Sequence, residues 1–239
     1  MAQTEPVTSY TENLQDLITR ARFVLWDFDG PICRLFAGHR ADFVATELVR
    51  WLDGSGWRHV LTHEERQLTD PYEVLRAVAR RHPGSDLVAE LEARLTREEL
   101  RAASSARPTA HADRLVRAWA ARGAGLAVTT NNSPAAARTY LGKRGLESCF
   151  GPHIYGRVQD PGLLKPHPHS LRQALAALGA DPSEALMVGD GPSDLLAAQR
   201  AGVAFIGYAR NDRKEKLLRE AEAQHIVLSL SEVLRELGG

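Results

Sequence analysis

Residues 23–30 read Phe23-Val24-Leu25-Trp26-Asp27-Phe28-Asp29-Gly30. The first four side chains are apolar without interruption, which is typical of a strand buried on both faces of a parallel sheet. Asp27 follows where such a strand would end, and Gly30 with Pro31 favours a turn directly after it. The sequence therefore predicts a central parallel strand with two carboxylates at its carboxyl end.

Further apolar runs alternate with helical patterns in the second half of the chain. We predict strands at residues 126–129, 153–155, 185–188, 203–208 and 226–228. Strand–helix alternation of this kind indicates an α/β fold, a doubly wound parallel sheet. Ligands bind beyond the carboxyl ends of the strands in such sheets, so we expect Asp27, Thr130 and Asp190 to share one edge.

The stretch from residue 35 to residue 107 differs, because strand-like runs give way to three successive helical patterns. We expect residues 35–107 to form a smaller all-helical domain, inserted after the first strand. Residues 1–34 and 108–239 then form the α/β core. Residues 1–22 are polar and carry a weak helical pattern near residues 14–18, which predicts a short leading helix.

The composition is ordinary for a globular protein and argues against several classes. Of 239 residues, 44% are hydrophobic and 25% are charged, and 30 basic residues balance 30 acidic ones. This balance leaves no net field that attracts nucleic acid or an anionic membrane. Residues 94–99, which mix Arg and Glu, are interpreted as a solvated helix face. Cys33 and Cys149 are too few for a disulfide framework.

No secretory signal is visible in the sequence. Its first residues lack the basic, apolar and cleavage regions of a secretory signal, and no apolar run approaches the ~20 residues that span a bilayer. We therefore expect a cytoplasmic protein, whose oligomeric state the sequence leaves open.

Asp27 and Asp29 are the first sign of chemistry. Two carboxylates so close repel each other unless a cation or a shared proton offsets their charge. Mg²⁺ prefers oxygen ligands and suits a site of a few carboxylates and a substrate phosphate. For an isolated Asp-x-Asp-Gly, a turn in which the aspartates accept backbone hydrogen bonds is the common alternative. Three further motifs favour the metal site here.

One of these motifs is Gly189-Asp190, with Asp194 four positions later. A strand end would place Asp190 at the sheet edge, and the following turn would return Asp194 to the same point. Two carboxylates there suit a metal ligand and a partner for a metal-bound water or for Lys165. A dinucleotide-binding loop is not indicated, because the pattern Gly-x-Gly-x-x-Gly is absent.

The other two motifs supply donors for an anion. Thr130 and Asn131 follow the second strand, and the Thr130 hydroxyl with the backbone donors after it suits phosphate oxygens near a helix start. Ser133, before a proline, is the predicted cap of that helix. Lys165 lies in a loop, and its ammonium can neutralise charge on a phosphoryl group or steady a nucleophilic carboxylate.

These four motifs, in this order, resemble the haloacid dehalogenase superfamily of phosphohydrolases, in the branch of the phosphoglycolate phosphatases and β-phosphoglucomutases. The resemblance covers residues 23–34 and 108–210. It implies a Rossmann-like core, and it implies that the helical insertion is a cap domain that closes over the substrate.

The resemblance also assigns roles to the site residues. It implies that Asp27 is the nucleophile, that Asp29 is the general acid and base, and that Thr130 and Lys165 offset charge on the phosphoryl oxygens. The residues predicted to bind phosphate or substrate are Thr130, Asn131, Lys165, Gly30, Arg34 and His39. The predicted metal ligands are Asp27, Asp29, Asp190 and Asp194, with Mg²⁺ as the implied ion, Asp29 contributing its main-chain carbonyl and Asp194 in support.

The predictions for Arg34 and His39 depend on weaker signals in the sequence. Arg34 lies where the family usually has an acidic stretch, and we hypothesise that it attracts a second anionic group of the substrate. His39 matches a cap-hinge position that sugar-phosphate mutases of the family use, and a solvated helix-start histidine is an equal alternative.

The expected function is that of a magnesium-dependent phosphatase, which hydrolyses a small phosphorylated metabolite through an aspartyl-phosphate intermediate. A phosphomutase on the same scaffold is the nearest alternative. A receiver-like signalling domain and a non-catalytic binder of phosphorylated ligands are more distant ones. Dehalogenase and phosphonate-cleaving members of the family lack an acid at the position of Asp29, so neither reaction is favoured.

Overall fold

The computed structural model describes residues 13–238, which form a six-stranded sheet, a two-stranded ribbon and surrounding helices. The strands are β1 (Phe23–Trp26), β2 (Cys33–Arg34), β3 (Arg107–Pro108), β4 (Gly125–Thr129), β5 (Ile154–Tyr155), β6 (Ala185–Gly189), β7 (Ala204–Tyr208) and β8 (Ile226–Val227). The helices are α1 (Leu14–Arg20), α2 (Ala41–Gly54), α3 (Pro71–Arg81), α4 (Asp86–Ser105), α5 (Ala112–Ala121), α6 (Pro134–Arg144), α7 (Glu147–Phe150), α8 (His169–Leu178), α9 (Pro192–Ala201), α10 (Asp212–Glu220) and α11 (Leu230–Glu236).

The large sheet has the strand order β5-β4-β1-β6-β7-β8, and every neighbouring pair is parallel. β1 lies in the centre, where Trp26 is opposite Val128 of β4 on one side and Val188 of β6 on the other. Each of the strands predicted after β1 is present at its predicted place. The predicted doubly wound α/β fold is therefore confirmed.

β1 is central because its side chains are apolar on both faces. Val24 and Trp26 point to one face, where Trp26 packs edge-to-face on Trp119 of α5 with ring centroids 5.6 Å apart. Leu25 points to the other face and belongs to a second cluster, with Met187 and residues of α8 and α9. Helices thus cover both sides of the strand, and the first polar residue after it comes at the edge of the sheet.

Residues between β2 and β3 form the helices α2, α3 and α4. These helices enclose a hydrophobic cluster of their own, whose members run from Val44 to Leu95. β2 and β3 lead the chain out to these helices and back, and they pair antiparallel with Arg34 opposite Arg107. The sequence does not predict this ribbon, because two residues per strand are too few to show an alternating pattern.

Glu99 on α4 corrects the interpretation of residues 94–99 as a solvated face. Its side chain is fully buried, and Arg157, which follows β5, donates to its two carboxylate oxygens at 2.9 and 2.8 Å. Arg157 also donates to the main-chain oxygen of Asn131 at 3.1 Å, and the N–H of Ser133 donates to Glu99 at 3.0 Å. This ion pair ties α4 to the loop that follows β4.

Arg157→Leu is expected to lower the free energy of unfolding by about 3–5 kcal/mol, because it leaves the Glu99 carboxylate buried without its cationic partner. The double variant Arg157→Leu/Glu99→Leu should regain much of this loss, since no buried charge remains. Urea unfolding followed by circular dichroism measures both, with Arg138→Leu on the exposed side of α6 as the control. If Arg157→Leu is as stable as the wild type, the ion pair does not stabilise the fold.

The leading helix predicted near residues 14–18 is present as α1. The side chain of Asn13 caps it by accepting a hydrogen bond from the N–H of Asp16 at 2.9 Å. Residues 1–12, which the same prediction includes, lie outside the described residues. Within residues 13–238, no helix has the length and apolar character that a membrane span needs.

Candidate active site

Lys165 joins three parts of the chain at the carboxyl edge of the sheet. Its ammonium donates to Asp27 Oδ1 at 2.8 Å, to Asp194 Oδ1 at 2.6 Å and to the main-chain oxygen of Thr129 at 2.9 Å. These acceptors use all three of its protons, and the side chain is only 2% exposed. Lys165 is therefore a fixed bridge between the end of β1 and the start of α9.

The turn after β1 passes directly over the end of β6. The N–H of Asp27 donates to the oxygen of Val188 at 2.9 Å, so Asp27 keeps the register of the sheet. Gly30 has a φ of +125°, and a Cβ atom built on it would overlap the Asp190 carboxylate. Glycine is thus required at this position both for its backbone conformation and for the close approach to Asp190.

Asp190 and Asp194 are held by separate contacts. Asp194 Oδ2 accepts hydrogen bonds from the N–H groups of Asp190 at 3.0 Å and Gly191 at 3.1 Å, so the first turn of α9 fixes its orientation. Asp190 Oδ2 forms an ion pair of 2.8 Å with Lys214 on α10. Burial raises the pKa of Asp190 to about 6, and Lys214 opposes that shift.

Negative charge dominates this edge of the sheet. Burial raises the pKa of Asp27 to about 7, Lys165 lowers it, and Asp194 and Asp190 raise it further. Burial works against the charge on Lys165, but Asp194 and Asp27 raise its pKa, and the ammonium stays protonated. A further positive charge would therefore stabilise the ionised carboxylates.

The arrangement fits a divalent cation. One oxygen from each of Asp27, Asp190 and Asp194 lies within 4.8 Å of the others, and all three residues are buried. Carboxylate oxygens gathered in this way are the donors that Mg²⁺ prefers. Among the described residues the side chain of Asp29 is not part of this group. The role of its main-chain carbonyl as a metal ligand stays a prediction.

Asp29 lies in the turn that leads to β2. Its Oδ1 accepts a hydrogen bond from the N–H of Leu35 at 2.8 Å. Burial raises its pKa to about 6, the Leu35 N–H lowers it, and Asp27 raises it further. A carboxyl group with such a pKa exists in both protonation states near neutral pH. A residue that donates and accepts protons needs both states.

The loop after β4 reaches the site through Asn131. Asn131 Oδ1 accepts from the N–H of Lys165 at 2.7 Å, and its amide donates to the Lys165 oxygen at 3.2 Å. The Thr130 hydroxyl instead donates to Asn132 Oδ1 at 2.8 Å and accepts from the Asn132 N–H at 3.1 Å. Contact of Thr130 with phosphate stays a prediction. Ser133 caps α6 through the N–H of Ala135, as predicted.

Arg34 and His39 lie on the helical side of the site. Arg34 belongs to β2, opposite Arg107 of β3. His39 Nε2 lies 2.7 Å from Glu98 of α4, and its ring contacts Phe43. Within residues 13–238, no hydrogen bond or ion pair links His39 to Asp27, Asp29 or Lys165, so its role in substrate binding stays a prediction.

The structure adds contacts that the sequence did not suggest. Lys214 pairs with Asp190. Lys214 lies on a strongly polar helix, and no motif at the end of a strand predicts this contact. Arg76 of α3 donates to the main-chain oxygen of Lys165 at 2.7 Å, which ties the helical segment to the loop that carries Lys165. Tyr72, from the same helix, donates to Glu99 at 2.9 Å. Only tertiary packing places these groups, and no local spacing in the sequence marks them.

The protein thus has an α/β fold with buried carboxylates gathered at one edge of its sheet. A family model described as haloacid dehalogenase-like hydrolase matches residues 21–202. Because the match covers most of the chain, the protein belongs to this family of hydrolases.

Two curated relatives are similar over part of their length. The chain is 35% identical over 94 residues to "Pyrophosphatase PpaX" of Bacillus pumilus, a match that covers 39% of this chain and 43% of the relative. It is 39% identical over 100 residues to "Phosphoglycolate phosphatase" of Rhodospirillum rubrum, which covers 40% of this chain and 41% of the relative. Each match spans less than half of the relative.

The fold is also similar to solved structures. A predicted phosphatase from Clostridium acetobutylicum superimposes with a TM-score of 0.64 at 17% identity, over 90% of this chain and 97% of the other. At this identity the likeness shows the shared fold alone.

Proposed function

We propose that the protein is a Mg²⁺-dependent phosphatase, which hydrolyses a small phosphorylated metabolite through an aspartyl-phosphate on Asp27. The observation that carries this proposal is the contact of Lys165 with both Asp27 and Asp194, beside Asp190. A carboxylate fixed in this way is oriented for attack. Lys165 also favours the ionised form of Asp27, against the effect of burial on its pKa. The names of the two relatives support the same class of reaction.

In the first step, a carboxylate oxygen of Asp27 attacks phosphorus while the bond from phosphorus to the ester oxygen breaks. Protonated Asp29 gives its proton to the leaving oxygen. Lys165 offsets negative charge on the phosphoryl group, and Thr130 and Asn131 are the further donors that we assign to it. The products of this step are the free alcohol and an acyl phosphate on Asp27.

In the second step, the Asp29 carboxylate takes a proton from water, and the water oxygen attacks phosphorus. The bond between phosphorus and Asp27 breaks, which releases inorganic phosphate and restores the Asp27 carboxylate. Asp27, Asp190 and Asp194, with the main-chain carbonyl of Asp29, are the residues that would hold Mg²⁺. The ion would supply positive charge for the phosphoryl oxygens.

We assign residues 35–107 to a cap domain, and residues 1–34 and 108–239 to the catalytic core. The separate hydrophobic cluster of α2, α3 and α4 supports this division. The contact of Arg76 with the Lys165 main chain supports a cap that reaches the site.

A panel of small phosphate monoesters, assayed for inorganic phosphate, tests the proposal. We expect release with Mg²⁺ present, and we expect EDTA to lower the rate by at least about 100-fold, because charge on the phosphoryl oxygens is then unbalanced. Added Mg²⁺ should restore the rate, and Asp190→Asn should raise the Mg²⁺ concentration that restoration needs. Undiminished release in EDTA would contradict metal dependence. Turnover that requires a sugar bisphosphate and yields an isomer would identify a mutase.

A further inference from the structure

An open cleft of about 790 Å³ lies beside Asp29. Three arginines line it, and they come from different parts of the chain: Arg34 from β2, Arg107 from β3 and Arg210 from the segment after β7. Asp29 is the one acidic residue among those that line the cleft. The wall next to the predicted proton donor therefore carries an excess of positive charge.

The positive charges of these arginines repel one another in the folded protein. Arg34 and Arg107 are direct partners across the β2–β3 ribbon, where like charges destabilise the pairing. Within residues 13–238, none of the three makes an ion pair or a side-chain hydrogen bond, and all three are exposed in the cleft. An anion bound in the cleft would relieve this repulsion.

A second arginine-rich groove, between α2 and α4, shows the contrast. There Arg50 pairs with Glu47 and Arg101 pairs with Glu98 at 2.6 Å. Those arginines are neutralised by carboxylates of the same groove. Asp29 is the one carboxylate among the residues that line the cleft beside it, and within residues 13–238 none of the three arginines forms an ion pair with it.

Tyr208 lines the same cleft as the three arginines. Burial raises the pKa of Tyr208, which lines the cleft, while Arg210 and Arg34 both lower it. The fields of Arg34 and Arg210 therefore meet at Tyr208, on the wall of the cleft.

We propose that Arg34, Arg107 and Arg210 form a subsite for a second anionic group, carried by the leaving group of the substrate. This inference rests on the proposed function, because Asp29 protonates the leaving oxygen and the leaving group must then lie on the Asp29 side. The planar guanidinium groups suit a carboxylate or a phosphate, each of which they bind with paired hydrogen bonds. The substrate class is a phosphate monoester with a carboxylate or a second phosphate on its alcohol part.

Two matched substrate pairs test the subsite. The first pair is 2-phosphoglycolate and 2-hydroxyethyl phosphate, which differ in a carboxylate. The second is 1,3-propanediol bisphosphate and 3-hydroxypropyl phosphate, which differ in a phosphate. We expect kcat/KM to be at least about tenfold higher for the member of one pair that carries the second anionic group, which is the value of one charge-assisted contact. The pair with the larger ratio identifies the second anion.

Arg210→Ala and Arg107→Ala should each raise KM for the preferred ester with the second anionic group by about tenfold and change KM for its hydroxyl partner by less than about twofold. Arg138→Ala on α6, an exposed arginine outside the cleft, is the control. Arg210→Lys should recover part of the loss, because it keeps the charge without the planar fork. Thermal unfolding of each variant checks that the fold is retained.

Equal kcat/KM values within both pairs would contradict the proposed subsite. The proposed phosphatase function would be unaffected by that result. If no ester is hydrolysed, the proposed function fails, and calorimetric titration in EDTA still decides the subsite. In that titration 2-phosphoglycolate or the bisphosphate should bind more tightly than its hydroxyl partner, and Arg210→Ala should remove the difference. Equal or undetectable binding of both members would overturn the inference.

Discussion

Asp27→Asn is expected to lower the rate of phosphate release by at least about 10⁴-fold, because an amide cannot form the acyl phosphate that the carboxylate forms. The amide oxygen can still accept the hydrogen bond that Lys165 donates to Asp27 Oδ1 at 2.8 Å. The substitution therefore removes the proposed nucleophile and keeps the contact with Lys165. Initial rates on the best ester of the panel measure the loss.

The stability of the same variant provides an internal check. Burial raises the pKa of Asp27 to about 7, so the ionised form is disfavoured in the folded protein relative to the unfolded chain. The stability that this residue contributes is therefore lost as the pH rises through about 7. At pH 8 without metal, Asp27→Asn should unfold at a temperature no lower than the wild type. A large drop would show that inactivity reflects a damaged fold.

Asp16→Asn, on the exposed side of α1, is the matched control and should keep the wild-type rate. Acid quenching during turnover, followed by mass spectrometry of peptides, should find the phosphoryl group on the peptide that contains Asp27. A phosphopeptide from another part of the chain, or a variant with near wild-type activity, would place the nucleophile elsewhere.

The parts of the fold that the sequence predicts are those in which local pattern and tertiary position coincide. The apolar run before Asp27 belongs at the centre of the sheet, because a strand without polar side chains is stable only when both faces are covered. Because β1, β4 and β6 are parallel, their carboxyl ends lie at one edge of the sheet. The contact of Lys165 with Asp27 and Asp194 then follows from topology, although these residues lie far apart in sequence.

The parts that sequence reasoning misses depend on partners distant in the chain. Glu99 lies among charged residues, so the sequence predicts that it is solvated. Its burial is possible because it pairs with Arg157, which lies 58 positions later in the chain. Lys214 lies on a helix whose composition is almost entirely polar, so nothing local connects it with Asp190. Arg107 faces Arg34 only because β2 and β3 pair. In each case the decisive information is a tertiary contact.

Asp29→Asn is expected to lower kcat for alkyl phosphate esters by about 10²–10⁴-fold, the usual contribution of a general acid. The leaving alkoxide of such an ester needs a proton, which the amide cannot give. With 4-nitrophenyl phosphate the first step should be affected far less, because nitrophenolate departs without a proton. The amide oxygen can still accept the hydrogen bond from the Leu35 N–H at 2.8 Å, so the turn before β2 is preserved.

The second step distinguishes the two roles of Asp29. Hydrolysis of the aspartyl-phosphate requires Asp29 to take a proton from water, so the variant should release about one equivalent of nitrophenolate per site rapidly and then turn over slowly. Rapid-mixing absorbance measures this burst, and Asp27→Asn, which has no nucleophile, should show none. Because burial raises the pKa of Asp29 to about 6, the wild-type residue can serve in both protonation states within one cycle near neutral pH. Equal losses for alkyl and nitrophenyl esters, without a burst, would show that Asp29 supports the turn and transfers no proton.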